Sequence, residues 1–445
     1  MPTFHLTIRS RLTALYFTCL LAVFPALHAQ DSVHINLEKA IAIALDESPT
    51  IKVANRTIEA KRYSKREAIA ALFPDANIAG SYNYTLKKQT MVFQNQAFEV
   101  GTDVNVQGGL SLSMPLISAA LWKNVKLNDM GVEMALESAR ASKINLTSQV
   151  KSYYYTMLYA RETFQVLEQN YNNAKLNYEN VKSRYEVGRA SEFELLRAEV
   201  NMKNQKPNVT AAESSIRLAT LTLKVLIGVD VDEPIIFDGS LQEYESGILN
   251  ATIPQLSSLS LANNSSMKQM ELNAQQLQKS LEITQVSALP SLYASGSYNY
   301  IGMGDGLNPS DYNWNPYAMV GVSLSIPIVS WVTTNYKIKS TRLSLESIKE
   351  QQAELEQNLR ISLTNSIVNL ENALEDLQSN KETISQAQRA YEISQKQYEI
   401  GACTWLDLNA SEVALINSNL AYLQSLYNYL TAEAELEATI GNTNE

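Results

Sequence analysis

The chain has 445 residues, 45% of them hydrophobic, which allows a substantial buried core and excludes general disorder. Its formal net charge of −10 and pI of about 5.1 argue against a nucleic-acid partner. Three histidines and two cysteines leave little material for catalysis.

Arg9 and Arg11 precede an apolar stretch from Leu12 to Leu27, and the small residue Ala29 stands before Gln30. Residues 1–29 are therefore predicted to be a cleaved secretory signal peptide, with a retained anchor as the alternative. Cys19 is a poor lipidation site, because Phe17 and Thr18 before it are not small. Cleavage removes His5, His28 and Cys19 and leaves His34 and Cys403. No disulfide, His/Cys metal cluster or Cys–His pair can then be assembled, so neither an enzyme nor a cofactor is expected. Beyond the signal, no apolar run reaches the length of a membrane-spanning helix.

Leu37 to Leu72 reads as a helix. After Pro74, Ile78, Gly80, Tyr82, Tyr84 and Leu86 alternate with Asn77, Ala79, Ser81, Asn83 and Thr85. A turn-rich connection from Lys87 to Asp103 leads to a second alternating run, with Val104, Val106, Leu110, Leu112 and Met114 on one side. Period-two alternation gives a sheet with one apolar and one polar face, and about 10 residues is the length of a tilted membrane strand. A soluble sandwich shares this pattern, so the strands alone leave both readings open.

Proline is absent from Leu116 to Lys206. There Val150, Tyr153, Met157, Ala160, Phe164, Leu167, Tyr171, Ala174, Tyr178, Val181 and Tyr185 form an apolar series with alternating spacings of 3 and 4, the seam of a coiled coil. A helix of about 70 residues would be roughly 100 Å long, too long for a compact globule. A shorter helix follows from Glu192 to Ile227, which Pro207 should kink or split.

The chain then repeats itself. PDANIAGSYNY from Pro74 recurs as PSLYASGSYNY from Pro290, and GLSLSMPLIS from Gly109 as GVSLSIPIVS from Gly321. YEVGRASEFELLRAEV from Tyr185 recurs as YEIGACTWLDLNASEV from Tyr398. The separations, 216, 212 and 213 positions, are nearly constant. The expected organisation is a first repeat over 30–228, a linker over 229–252 and a second repeat over 253–445. In the second repeat we expect a helix from Leu256 to Ala288, strands from Leu292 to Ile301 and from Tyr317 to Ile326, and a helix from Leu406 to Ile440. The Gly302–Pro316 connection is a loop, and its glycines open no helix that could cradle a phosphate. Leu363, Leu370, Leu377, Ile384, Tyr391 and Tyr398 continue the heptad phase in a second long helix.

Four strands cannot close a barrel, and open edges are not tolerated in lipid, so copies must assemble. A trimer would pool about twelve strands, an even number within the known range. The order of elements, the prolines at 74, 115, 290 and 327, and the two Tyr-x-x-Gly turns resemble the TolC-like outer-membrane efflux protein family over essentially the whole mature chain. The resemblance implies an α+β membrane protein: a long α-helical coiled-coil tunnel in the periplasm, plus four β-strands per protomer in a shared 12-stranded trimeric transmembrane β-barrel in the outer membrane. It implies a homotrimer in contact with outer-membrane lipid, docked to a periplasmic adaptor and an inner-membrane pump, serving efflux or type I secretion. A coiled-coil surface adhesin would account for the heptads but not the duplicated strands. A diffusion porin would account for the strands but not the helices.

The resemblance also singles out the two turns. Gly188, Arg189, Ala190 and Ser191 in one, and Gly401, Ala402 and Thr404 in the other, match the family's adaptor-contacting tips. Glu194, Tyr398, Cys403 and Asp407 match its periplasmic gate, where acids form a cation-sensitive ring. Cys403 stands where the best-known members carry a basic partner, and Ala410 where they carry a second acid, which takes charge out of the ring. Read from the residues alone, Glu194 and Asp407 are equally well explained as first-turn acids favoured by the helix dipole.

Overall fold

The computed structural model describes residues 33–93, 96–256, 259–328 and 331–441, so the predicted signal peptide lies outside the described residues. The first half runs β1 (Val33–Ile35), α1 (Leu37–Glu47), α2 (Pro49–Ala70), β2 (Asp75–Tyr84), β3 (Gln89–Phe93), β4 (Gln96–Val100), β5 (Val104–Ile117), α3 (Ala119–Glu186) and α4 (Glu192–Ile227). The second half runs β6 (Ile235–Phe237), α5 (Gln242–Leu249), α6 (Ser265–Val286), β7 (Ser291–Gly304), β8 (Asn313–Ser325), α7 (Trp331–Glu399) and α8 (Trp405–Ile440).

Several boundaries differ from expectation for local reasons. The helix expected from Leu37 to Leu72 is two helices. Ser48 takes an extended ψ of 131°, and Pro49, which cannot donate a backbone hydrogen bond, starts α2 where that loss is free. The helix expected from Leu256 starts only at Ser265, where the Asn264 side chain accepts from the backbone N–H groups of Ser266 and Met267. Pro207 does not split α4. It sits on an exposed face with Lys203, whose carbonyl loses its helical partner but keeps access to water. The connection from Lys87 to Asp103 contains a further antiparallel hairpin, β3–β4.

β2, β5, β7 and β8 form one antiparallel sheet in that order, leaving β2 and β8 as open edges. Register aligns the alternation across all four strands. One face carries the rows Ile78–Leu110–Tyr298–Ala318 and Ala76–Leu112–Gly296–Val320. The other carries Asp75–Ser113–Ser295–Gly321 and Asn77–Ser111–Ser297–Met319. The apolar face is bare in the single chain: Ile78 is 82% exposed and Val320 93%. Near the hairpin end Tyr300 and Tyr312 flank Trp314, each with ring centroids 6.2 Å away.

Below the sheet, α3 pairs with α4 and α7 with α8 as two long antiparallel hairpins. Leu363, Leu370 and Leu377 on α7 are buried at seven-residue intervals, as the heptad requires. On α3 the seam is less regular. Val150, Met157, Ala160, Ala174 and Val181 are buried, but Tyr153 and Tyr185 are exposed. Around Tyr153 the helix meets α1 and the linker as well as its coiled-coil partners, so Tyr154, Tyr155 and Leu158 turn inward instead.

The 229–252 segment is more than a tether. β6 pairs in parallel with β1. The Arg161 guanidinium donates to the Phe237 carbonyl at 3.0 Å, and Glu162 accepts from the Leu241 N–H at 2.6 Å. The two halves also end alike. Gly228 (φ 80°) packs on the Glu47–Ser48 turn, and Gly441 (φ 78°) on the Asn263–Asn264 turn. Among the described residues no helix is long and apolar enough to cross a membrane, which leaves the sheet's bare face to be explained.

Candidate functional site

Both helical hairpins end in the same construction. α3 stops in a Schellman motif: the Arg189 N–H reaches the Arg184 carbonyl at 2.7 Å and the Gly188 N–H the Tyr185 carbonyl at 2.9 Å. α7 stops likewise, with Ala402 N–H to the Gln397 carbonyl at 2.7 Å and Gly401 N–H to the Tyr398 carbonyl at 3.0 Å. Gly188 and Gly401 hold φ of 72° and 73°, the left-handed conformation that lets the chain reverse.

The following helices open with capping boxes. Ser191 Oγ accepts from the Glu194 N–H at 3.2 Å, while Glu194 Oε2 accepts from the Ser191 N–H at 2.8 Å. Thr404 Oγ1 accepts from the Asp407 N–H at 3.3 Å, and Asp407 Oδ2 accepts from the Thr404 hydroxyl at 2.6 Å and N–H at 3.0 Å. The Ser191 N–H above all holds the Glu194 carboxyl below the usual carboxylate range. The Thr404 hydroxyl, then its N–H, does the same for Asp407. Each acid thus has a structural task within its own helix, and each stays ionised into acid solution.

The two tips lie side by side and enclose a cleft of about 490 Å³. Ala190, Ser191, Glu194, Tyr398 and Thr404 line it. Gly188, Arg189, Gly401, Ala402, Cys403 and Asp407 belong to the same turns but stand outside its lining. Cys403 is half-buried and its thiol donates back to the Ser394 carbonyl at 3.4 Å, across its own hairpin. The cleft also holds residues that motif matching passed over: Arg184, Phe193, Arg197, Trp405 and Leu406. The Arg197 guanidinium sits 4.6 Å from the centre of the Trp405 ring, tying one tip to the other by a cation–π contact. Aligning the two turns exposes part of this signal, because Trp405 occupies the position that Glu192 holds in the first repeat.

Comparison with known proteins follows the same outline. A family model described as outer membrane efflux protein matches residues 40–229 and 256–442. No curated protein sequence matches the chain. Among solved structures, the fold resembles the CmeC outer membrane channel of Campylobacter jejuni, with TM-score 0.73, 17% identity, and 91% of this chain and 85% of that one covered. It resembles the outer membrane protein VceC of Vibrio cholerae with TM-score 0.73 and 16% identity, covering 92% and 97% of the two chains. The open state of the Neisseria gonorrhoeae MtrE outer membrane channel gives TM-score 0.73 and 18% identity, covering 91% and 88%.

Proposed function

This chain belongs to the outer membrane efflux protein family, and we propose that three copies close into one duct from periplasm to exterior, the outer-membrane component of a tripartite efflux or type I secretion assembly. One observation carries the reading: across all four strands the register puts an apolar side chain on one face at almost every row and a small or polar one at most rows of the other. Among the described residues nothing in the chain covers the apolar face, unlike that of a soluble sandwich, so this reading gives it lipid outside and water inside, and its edges β2 and β8 need partners. Three sheets of four strands supply the closure. α3 and α7, of 68 and 69 residues, extend roughly 100 Å at 1.5 Å per residue and form the periplasmic tunnel.

At the far end of that tunnel the paired tips meet the periplasmic adaptor, which links the duct to an inner-membrane pump. Gly188, Arg189, Ala190, Ser191, Gly401, Ala402 and Thr404 are the contact turns. Glu194 and Asp407, ionised by their capping bonds, form a narrow anionic entrance with Tyr398 and Cys403 beside it. The repeats 30–228 and 253–445 each contribute one hairpin to the wall, and 229–252 belts them at mid-height.

Two measurements test this. Detergent-solubilised protein should have three times the mass of the processed chain, and a stable water-soluble monomer would refute the assembly. Reconstituted trimers should conduct weakly and prefer cations, and Glu194→Gln with Asp407→Asn should weaken that preference. Unchanged selectivity in the double variant would return both acids to helix capping alone.

A further inference from the structure

The chain as a whole is acidic, with a net charge of −10, yet its charge inverts where the helices leave the sheet. The first fifteen residues of α7, Trp331 to Leu345, carry Lys337, Lys339 and Arg342 and no acid. From Arg56 to Ala70, α2 carries five basic residues against Glu59 and Glu67. Among the described residues no carboxylate pairs with Lys61, Arg62, Lys337 or Arg342, and all four are exposed.

The neighbouring helix roots do not neutralise this charge. Asp129 is shared by Lys65 at 2.7 Å and Lys126 at 2.9 Å. Glu282 is shared by Lys123 at 2.6 Å and Lys279 at 2.8 Å. Each of these acids answers two lysines of its own neighbourhood, with Glu133 also facing Lys126, so neither is available to the unpaired cations of α2 and α7. Aromatic rings stand among the cations in both halves: the Arg66 guanidinium lies 5.4 Å from the Tyr63 ring, and the Lys339 ammonium 5.9 Å from the Tyr336 ring. Tyr63 and Tyr336 are 65% and 67% exposed.

Position and pairing together point to a partner. Counting at 1.5 Å per residue, the unpaired cations lie within about 17 Å of the helix ends that join the strands. The headgroup layer is only about 5–8 Å deep on each side, so it is the long Lys and Arg side chains, reaching back along the helices toward the sheet, that bring the nearer of these cations to it. Basic residues beside exposed tyrosines are the side-chain mixture that anchors proteins at a charged membrane surface. The topology sharpens the need for an anion. β2 and β8 are opposite edges of the sheet, so in a closed ring the basic root of α7 in one copy stands beside the basic root of α2 in the next. Two positive segments side by side repel unless something negative lies between them.

We propose that this collar binds the phosphate headgroups of anionic glycerophospholipids in the periplasmic leaflet, with the lipids bridging neighbouring copies at the α7–α2 junctions. The inference rests on the trimeric barrel proposed above. Lipid phosphate is favoured over a free anion because the cations flank an apolar sheet face that acyl chains would cover, and because exposed tyrosines accompany them.

The test is native mass spectrometry of the purified trimer with phosphatidylglycerol or phosphatidylcholine, with conductance recorded on the same preparation. Phosphatidylglycerol should bind about tenfold more tightly, weakening at high salt. Lys61→Gln, Arg62→Gln, Lys337→Gln, Lys339→Gln and Arg342→Gln together should erase the preference. The charge-conserving variants Lys61→Arg, Lys337→Arg and Lys339→Arg should keep it. An intact, conducting trimer with no preference between the two lipids would overturn this proposal alone. Displacement of phosphatidylglycerol by millimolar inorganic phosphate would also overturn it, marking a general anion site. Failure to find a conducting trimer would instead overturn the channel reading on which the collar depends.

Discussion

Four glycines share one backbone conformation but differ in surroundings, and together they make a graded test of how the tunnel wall is joined. Gly188, Gly228, Gly401 and Gly441 all hold φ between 72° and 80°. A Cβ built on Gly188 or Gly401 meets nothing within 4 Å. One built on Gly228 lies 2.6 Å from the Glu47 carbonyl oxygen and 3.0 Å from the Ser48 Cα. Alanine at Gly188 should therefore cost only the left-handed strain, about 1–2 kcal/mol. Alanine at Gly228 adds a backbone clash worth about 1–3 kcal/mol more, because Glu47 sits in the turn between α1 and α2 and cannot rotate away as a side chain would. Thermal inactivation of detergent-solubilised protein should rank Gly228→Ala well below Gly188→Ala, with Gly188→Ala and Gly401→Ala alike. Inactivation half-lives at one temperature are the better reading, since large assemblies commonly unfold irreversibly. Equal half-lives for Gly228→Ala and Gly188→Ala would refute the argument that the α4 end is locked against the α1–α2 turn.

Three further outcomes are expected. Burial pushes the Glu162 carboxyl up, so the native state binds its proton more tightly than the unfolded chain and stability falls as pH rises from the unfolded pKa to the folded one. Glu162→Gln should then raise the melting temperature more at pH 8 than at pH 4, and an equal change at both would refute it. The tip acids carry the opposite sign: the lowered Glu194 and Asp407 carboxyls contribute stability above their unfolded pKa that is lost as pH falls through the folded one. Ser191→Ala should cost about 1 kcal/mol, seen as faster amide exchange confined to the tip, and exchange that stays slow there would dismiss the cap. Val320→Lys, on the apolar face, should cost about 2–4 kcal/mol of barrel stability, whereas Ser323→Lys on the opposite face should be nearly neutral; equal loss of assembled trimer in urea would reverse the assignment of faces.

Legibility in the sequence followed periodicity. The four barrel strands, α3 and α7 were plain because alternation or heptad spacing persisted over many residues, and the repeat showed each twice. The β3–β4 hairpin was not, because no glycine or proline marks its turn and its strands are only five residues each. β1 and β6 are three residues long and pair across some 200 positions of chain, so neither carries a periodic signal of its own. At the tips, Gly188 and Gly401 announced the turns, and the S/T-x-x-D/E spacing was there to be read as capping boxes. The Arg197–Trp405 contact was hidden because it joins the two hairpins, and nothing local in either says they meet. Tyr153 was misplaced because a straight seam was extended through a region where other elements compete for the same helix.

The open edges of the sheet bear on how the protein comes into being. A lone copy presents two strands with unpaired backbone groups beside an apolar face, acceptable neither to water nor to hydrocarbon. In the proposed trimer the last hydrogen bonds of each sheet form only as its neighbours arrive, which ties ring closure to the burial of the apolar face. Apparent stability becomes a function of how many copies the cell delivers at once. A strand variant that slows closure should then lower the yield of assembled protein and leave the pores that do form unchanged.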